Sequence, residues 1–278
     1  MKKSVRLSAL LMALLLCLTA SAQAAGKSSA TPTPAPLEIQ TEVIEEIPET
    51  IQKLLDLAYN EWIETDGKNL KTKNKYTKWR NNYEFEWCGG FVTWCMLQLE
   101  IPQQEWAKTP KEEVPGIVHV KEAGVGKLVT GYTRMSRLTL IPQKGFIAVF
   151  GNGKSYKGTG ATPLYHVGLV YDVQELSEGK YRITTIEGNV NAPADETHKK
   201  SPHTIRMYIR DYDMNAEQKK NITLVPEEER TREENTLFSY GYTYNNPALY
   251  ISKFLMPWVP SQYPQAEEPA ETPAEAAP

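Results

Sequence analysis

The stretch EFEWCGGFVTWCMLQLEIP, residues 84–102, contains the two cysteines that remain once an N-terminal export segment is set aside. Its apolar residues recur with the period of an α-helix and a proline follows them, so we predict a helix from about Trp87 to Glu100. Seven helical steps place the Cα atoms of Cys88 and Cys95 about 10 Å apart, beyond the roughly 7 Å that a disulfide spans. We therefore expect two unpaired cysteines with separate roles.

The position of each cysteine on this helix favours a different role. Cys95 lies mid-helix among apolar neighbours, where a free cysteine behaves as a small hydrophobic residue. Cys88 lies at the helix start, where backbone N–H groups without partners and the positive end of the helix dipole stabilise a thiolate. The pair Gly89-Gly90 lets the backbone approach a substrate closely, at a loss of helix propensity. Position alone leaves Cys88 open as a nucleophile or a core residue.

The sequence lacks the motifs that are typical of metal-binding and redox-active cysteine sites. The chain has no C-x2-C pair, as the common zinc and dithiol motifs require. His198 and His203 have a ligand-like spacing, but the two lysines between them in HKKSPH would repel a cation. We therefore expect no metal and no cofactor.

A catalytic thiolate also needs a base, and a third group that holds the base in one tautomer. His166 lies in YHVGLVYDV, whose alternation predicts a strand, and Gly168 on the same face leaves room beside it. The next predicted strand ends in TIEGN, where Glu187 and Asn189 lie two residues apart and hence on one side. Either side chain is able to accept the imidazole N–H. Taken singly, His166 also reads as a structural histidine and TIEGN as an ordinary turn.

The order of these elements is that of papain-like hydrolases: cysteine at a helix start, histidine early in a strand, acid or amide at the end of the next strand. WCGGFVTWCMLQLEIP resembles the nucleophile helix of CHAP domains (cysteine, histidine-dependent amidohydrolase/peptidase), commonly W-C-A-x-F-V-S-W-C. HVGLVYDV and TIEGN resemble their histidine strand and the end of the strand after it. NKYTKWRNN is similar to the T-K-Y-x-x-W segment that often precedes the nucleophile.

The resemblance covers roughly residues 50–212. The chain departs from it at Gly89, where alanine is usual, and at Phe146, where an aspartate is common.

The resemblance implies an α+β fold of the NlpC/P60-like papain type, with N-terminal helices on an antiparallel β-sheet and the nucleophile at a helix N-terminus. It implies hydrolysis of amide bonds in peptidoglycan or its stem and cross-bridge peptides, as an N-acetylmuramoyl-L-alanine amidase or an endopeptidase. Cys88 takes the nucleophile's place, His166 the base's, and Glu187 with Asn189 the orienting positions. Candidates for the substrate groove, although aromatic residues pack in cores at least as often, are Tyr76, Trp79, Tyr83, Trp87 and Gly89.

Two other functions remain open at this point. One is a non-catalytic wall-binding or scaffold protein that has kept the fold. The other is a processing peptidase or acyl transferase that uses the same triad on another secreted substrate. The complete set of cysteine, histidine and acid or amide favours an enzyme, because a binding module has no use for all of them.

Other segments predict the remaining elements. ETIQKLLDLAYNEWIETDG, residues 49–67, has the spacing of an amphipathic helix that Gly67 ends. Residues 111–129 indicate a short helix with Pro115 near its start and a turn at Gly124 to Gly126. GFIAVFG, YHVGLVYDV and YRITTIEGN indicate consecutive antiparallel strands, with QELSEGK as the turn between the last two.

The two ends of the chain lack the patterns of folded structure. Residues 1–24 have a basic start, an apolar run and a small-x-small site ending at Ala24, which predicts a cleaved signal peptide. Residues 25–40 form a Pro-rich linker and residues 261–278 a Pro/Ala/Glu tail, both predicted to be disordered. Between them we place a catalytic domain at 41–212 and a C-terminal extension at 213–260 that packs on it.

The predicted export of the chain and its net negative charge restrict the classes of molecule that it is expected to bind. The chain has 31 basic and 34 acidic residues, and removal of the three basic residues of the signal leaves 28 against 34. An acidic protein is not expected to bind nucleic acid. The apolar run of the signal is too short to serve as a membrane anchor. We expect a secreted or wall-associated protein whose partner is peptidoglycan or a muropeptide.

Overall fold

The computed structural model describes residues 43–80, 84–104, 114–152, 164–192, 201–230 and 249–260. The predicted signal peptide (1–24), linker (25–40) and tail (261–278) lie outside these ranges. The helices are α1 (Glu49–Thr65), α2 (Cys88–Gln98) and α3 (Val125–Arg134). The strands are β1 (Leu138–Thr139), β2 (Ile147–Asn152), β3 (Leu164–Ser177), β4 (Lys180–Ala192), β5 (Ser201–Asp213), β6 (Ile222–Leu224) and β7 (Leu249–Leu255). Short 3-10 turns occur at Lys78–Arg80, Gln218–Lys220 and Glu227–Glu229.

The seven strands form one antiparallel sheet in the order β1-β7-β2-β3-β4-β5-β6. From β2 to β6 each strand pairs with the next in sequence, while β7 returns from the C-terminal part of the chain and enters between β1 and β2. The sheet therefore contains strands from beyond residue 212. The predicted α+β architecture, a mostly antiparallel sheet with a few helices, is the one observed.

The core lies between this sheet and the two N-terminal helices. Helix α1 buries Ile51, Leu54 and Leu55 on the stripe that its spacing predicts, and contacts β3, β4 and β5. Helix α2 contacts β3 and β4 and is buried on almost every side. A helix that is apolar all round requires such enclosure. No helix in the described part of the chain is long and apolar enough to cross a membrane.

A buried amide side chain helps to join the far end of the sheet to β7. Asn221, 5 % exposed, donates from Nδ2 to the carbonyl of Ile251 at 2.8 Å and accepts the Ile251 N–H at 3.0 Å. The Tyr212 hydroxyl also donates to the Leu140 carbonyl at 3.0 Å. Asn221 thus supplies β7 with the pair of bonds that a neighbouring strand would give, and the sheet curls so that its edges approach each other.

Two sequence predictions are wrong in detail. Residues 114–123 are not helical. Three of the four residues at 117–120 are β-branched, and this stretch forms extended bridges to Gln103 and Trp258. The helix begins at Val125, where we expected a turn. The predicted turn QELSEGK is shorter than expected: β3 and β4 continue to Ser177 and from Lys180, and Gly179 adopts φ +73° between them. Part of the first region, residues 111–113, lies outside the described ranges. The described part of the predicted extension, residues 213–260, contributes β6 and β7 to the sheet.

We expect Asn221→Ala to lower the free energy of unfolding by about 1–3 kcal/mol, because two buried backbone groups of Ile251 lose their partner. Urea unfolding followed by circular dichroism measures the change. Asn215→Ala, at an exposed asparagine six residues earlier, serves as the control and should change it little. Equal effects of the two substitutions would contradict a special role for Asn221.

Candidate active site

Cys88 is the first residue of α2, and Trp87 fixes where that helix begins. The Trp87 carbonyl accepts the Phe91 N–H at 2.8 Å, and its indole donates to the Lys71 carbonyl at 3.0 Å. The Trp87 ring has no exposed surface and stacks on Tyr76, with 5.1 Å between ring centroids. Cys88 is 6 % exposed. The thiol is therefore held at the helix N-terminus that the sequence predicts.

His166 lies on β3, opposite Phe150 of β2, and is 7 % exposed. Toward its start, β3 no longer pairs with β4, since their described pairing ends at Leu169 and Ile186. Glycines permit the close packing at this divergence. A Cβ on Gly168 would lie 2.5 Å from Glu187 Cγ, and one on Gly188 would lie 2.6 Å from Phe91 Cβ. Both glycines thus make room, one for the Glu187 side chain and the other for helix α2.

Cys88, His166 and Glu187 form a hydrogen-bonded chain. The His166 Nε2 lies 2.9 Å from Glu187 Oε2, and both side chains are buried. The thiol of Cys88 shares a hydrogen bond with the same imidazole. Because Nε2 is bonded to the carboxylate, Nδ1 is the ring nitrogen left for the sulfur. Three side chains from a helix and two strands therefore meet in the arrangement of nucleophile, base and orienting acid.

Asn189, the other orienting candidate, lies elsewhere. Its Oδ1 is 2.7 Å from His203 Nδ1, and its Nδ2 donates to Glu86. The expectation assumed extended backbone through Gly188, but Asn189 has φ +59° and the pairing of β4 with β5 shifts register here. The bulge turns Asn189 away from His166. Of the two alternatives, the structure brings only Glu187 to the imidazole.

Sequence reasoning missed Arg210, a fully buried arginine on β5. Its Nη1 donates to Glu187 Oε1 at 2.7 Å and to Thr185 Oγ1 at 2.9 Å, and Thr185 donates to the same Glu187 oxygen at 2.6 Å. The guanidinium lies over the rings of Phe150 and Tyr208, 4.9 and 4.6 Å from their centroids. One signal was available: a buried glutamate needs a cation, and an arginine within the apolar strand IRMYIRDY is a natural source. Arg210 contacts Glu187, which contacts His166, so we assign it a positioning role that acts on Cys88 through these two side chains.

The charges of these groups alternate, and their pKa values shift accordingly. Burial alone would raise the pKa of Cys88, but the hydrogen bond and charge of His166, with the N–H groups of Val167 and Gly89, lower it below its usual 9.0. Burial alone would lower the pKa of His166, but its bonds to Cys88 and Glu187 raise it. Burial opposes ionisation of Glu187 too, yet the charge of Arg210 and the bond from His166 lower its pKa. These shifts favour a thiolate–imidazolium pair.

The candidate groove residues divide between core and surface. Tyr76 and Trp87 have no exposed surface, so they belong to the core in this structure and not to an open groove. Trp79 is half-buried and donates from its indole to the Gly90 carbonyl at 3.3 Å, which leaves it beside α2. Tyr83 lies outside the described residues. Packing explains the glycine at position 89, because a Cβ there would lie 2.3 Å from the Ala123 carbonyl oxygen.

Cys95 differs from Cys88 in the direction of its pKa shift, although neither cysteine forms a disulfide. It is fully buried, it is not disulfide-bonded, and burial raises the pKa of its thiol well above the usual value. No group of three or more metal-ligating side chains occurs within the described ranges.

Comparison with known families agrees with the resemblance seen in the sequence. Residues 78–189 match the model of the CHAP domain family, a span that includes Cys88, His166 and Glu187. The resemblance to this family is thereby confirmed. CHAP domains are hydrolytic, cysteine- and histidine-dependent amidohydrolases and peptidases with a papain-like fold. No curated protein and no solved structure gives a significant match to the chain. Arg210 lies outside the matched span.

The lowered pKa of the Cys88 thiol predicts that Cys88 is alkylated at a lower pH than an ordinary thiol, whose pKa is 9.0. With iodoacetamide, the rate at Cys88 should reach its plateau below pH 9 and fall as the thiolate gains a proton. Cys95 should remain unmodified in the folded protein. Peptide mass mapping across a pH series measures both sites. A Cys88 rate that climbs steadily to pH 9 would contradict the lowered pKa.

Arg210→Met should move the acid limb of the activity profile to higher pH, because Glu187 without its cation is protonated more easily. We expect kcat/KM at neutral pH to fall by at least about tenfold, since a buried charge is left without a partner. Arg210→Lys keeps the charge and should retain more activity. Arg182→Met is the matched control: it removes a second buried arginine of the same sheet, whose partners are Asp211 and Glu229. An unshifted pH profile in the folded Arg210→Met protein would refute the positioning role.

Proposed function

We propose that this chain is a secreted cysteine amidohydrolase that cleaves amide bonds of peptidoglycan or its peptides. The observation that carries the proposal is the buried hydrogen-bonded chain from Cys88 through His166 to Glu187. The CHAP match over 78–189 supports the reaction class. The choice of peptidoglycan as substrate, and of an amidase or endopeptidase as the activity, rests on the family resemblance.

The first half of the reaction uses the thiolate and the helix start. Cys88 Sγ attacks the carbonyl carbon of the scissile amide, and the electron pair moves to the carbonyl oxygen. The first backbone N–H groups of α2, which have no partner within the helix, stabilise this oxyanion. His166 then gives its Nδ1 proton to the amide nitrogen, the C–N bond breaks, and an acyl thioester remains on Cys88.

The second half regenerates the enzyme. With its Nδ1 proton gone, neutral His166 accepts a proton from water as the water attacks the thioester. The thiolate leaves and the imidazolium forms again, so the resting ion pair is restored. Glu187 acts throughout by holding Nε2, which keeps the imidazole in one tautomer and favours its charged form.

This location and substrate are consistent with the N-terminal sequence. A signal peptide cleaved near Ala24 would deliver the domain outside the cytoplasm, where peptidoglycan lies. No observation in the described part of the chain specifically favours either a scaffold protein or a processing peptidase or acyl transferase. A scaffold protein has no need for a buried arginine that keeps Glu187 ionised beside His166.

Purified protein should release new amino termini from insoluble peptidoglycan, and Cys88→Ala should abolish this release. Cys95→Ala is the matched control, because it removes the second buried thiol of the same helix and should largely spare the activity. Labelling of free amino groups followed by mass spectrometry of the products measures the release and identifies the bond cut. Equal release of amino termini by the Cys88→Ala variant and by the parent would contradict the proposal.

A further inference from the structure

The segment 67–80, here called the basic loop, concentrates positive charge in an otherwise acidic protein. It contains no acidic residue, although the whole chain has a net charge of −3. A local excess of positive charge attracts anions. The like charges also repel one another, which destabilises the folded state unless a partner neutralises them. The six basic residues of the loop are Lys68, Lys71, Lys73, Lys75, Lys78 and Arg80.

Two of the six already serve the fold. Lys75 pairs with the buried Glu61 and lies 5.1 Å from the Trp94 ring centroid. Arg80 lies 3.9 Å from Glu122. The other four are exposed, and none forms an ion pair with another described residue. These four are Lys68, Lys71, Lys73 and Lys78.

The backbone of the basic loop is held in place by its own polar side chains. Asn74 Oδ1 accepts the Tyr76 N–H at 2.9 Å, and Asn74 Nδ2 donates to the Lys71 carbonyl at 2.9 Å. Thr77 Oγ1 accepts the Asn74 N–H at 3.1 Å. The four lysines therefore project from a fixed frame. A partner that binds them does not have to order the loop, which reduces the entropic cost of association.

The basic loop also borders the nucleophile. The Lys71 carbonyl accepts the indole N–H of Trp87, the residue immediately before Cys88. Trp79, in the same loop, donates to the Gly90 carbonyl at 3.3 Å. On the other side, the Leu70 N–H donates to the His203 carbonyl at 3.0 Å. A polymer seated on the loop would lie next to the start of α2.

We propose that the basic loop binds the free carboxylates of peptidoglycan stem peptides through Lys68, Lys71, Lys73 and Lys78, and holds the wall strand beside Cys88. The choice of polymer rests on the proposed function. Charge complementarity selects an anionic polymer, and a substrate that carries carboxylates close to its cleaved bonds supplies them where the loop lies. The loop thus gives the catalytic domain its own means of staying on an insoluble substrate.

The test measures binding without hydrolysis. All proteins carry Cys88→Ala, and their cosedimentation with purified insoluble peptidoglycan is measured as a binding isotherm. The peptidoglycan is first treated with hydrofluoric acid, which removes phosphodiester-linked polymers. The loop variant replaces Lys68, Lys71, Lys73 and Lys78 by glutamine. The control variant makes the same charge change at four exposed lysines elsewhere: Lys53, Lys180, Lys219 and Lys220.

We expect the loop variant to bind about tenfold more weakly at low salt, as four exposed charge contacts are lost, while the control variant binds like the parent. Conversion of the peptidoglycan carboxyl groups to amides should weaken the parent to the level of the loop variant. Equal binding by the loop and control variants overturns the proposal. Parent binding that survives amidation, or that appears only when phosphate polymers are retained, also overturns it.

The design separates this inference from the proposed function. If the active parent releases no amino termini but the loop variant loses binding, the hydrolase proposal fails and the binding surface stands. If the parent cleaves peptidoglycan but the loop and control variants bind alike, only the binding surface fails. Because the substituted lysines are exposed, both variants should keep the parent's circular dichroism spectrum, which shows that they fold.

Discussion

The site depends on a carboxylate that is ionised although it is almost completely buried. Glu187 is 1 % exposed and its charge would be costly there without compensation. Arg210 and Thr185 satisfy one of its oxygens and His166 the other. Positive and negative groups thus alternate from the arginine to the thiolate. Loss of any one member leaves its neighbour as an uncompensated buried charge, which explains why the four must be treated as a unit.

The shape of the sheet makes this unit possible. Strands β3 and β4 pair regularly until Leu169 and Ile186, and the divergence beyond them leaves space for helix α2. Gly168 and Gly188 line that space, since a side chain at either would collide with Glu187 or Phe91. The Cys88 thiol is therefore brought to the imidazole by backbone packing. The proposed catalysis requires such a preorganised arrangement, because electrostatic stabilisation of a transition state depends on groups that are already in place.

The sequence predicts the parts of the site that local patterns encode. Helical spacing separates Cys88 from Cys95, and strand alternation identifies His166 and the strand that carries Glu187. It did not predict Arg210, because cross-strand partnership depends on register, which the alternation of one strand does not specify. It misplaced Asn189 because a bulge with positive φ breaks the two-residue period on which the prediction rested. Tyr76 and Trp87 are candidates for a groove in the sequence and core residues in the structure, because aromatic composition alone does not distinguish a core from a binding surface.

The alternating charges require that Cys88 and His166 form an ion pair in the resting protein. Nitrogen-15 NMR of selectively labelled histidine, with His166 assigned by substitution, measures this directly. In an ion pair both ring nitrogens of His166 are protonated at pH 7. S-methylation of Cys88 should remove the thiolate and let the Nδ1 proton leave at a lower pH. A neutral His166 ring at pH 7 in the unmodified protein would contradict the ion pair.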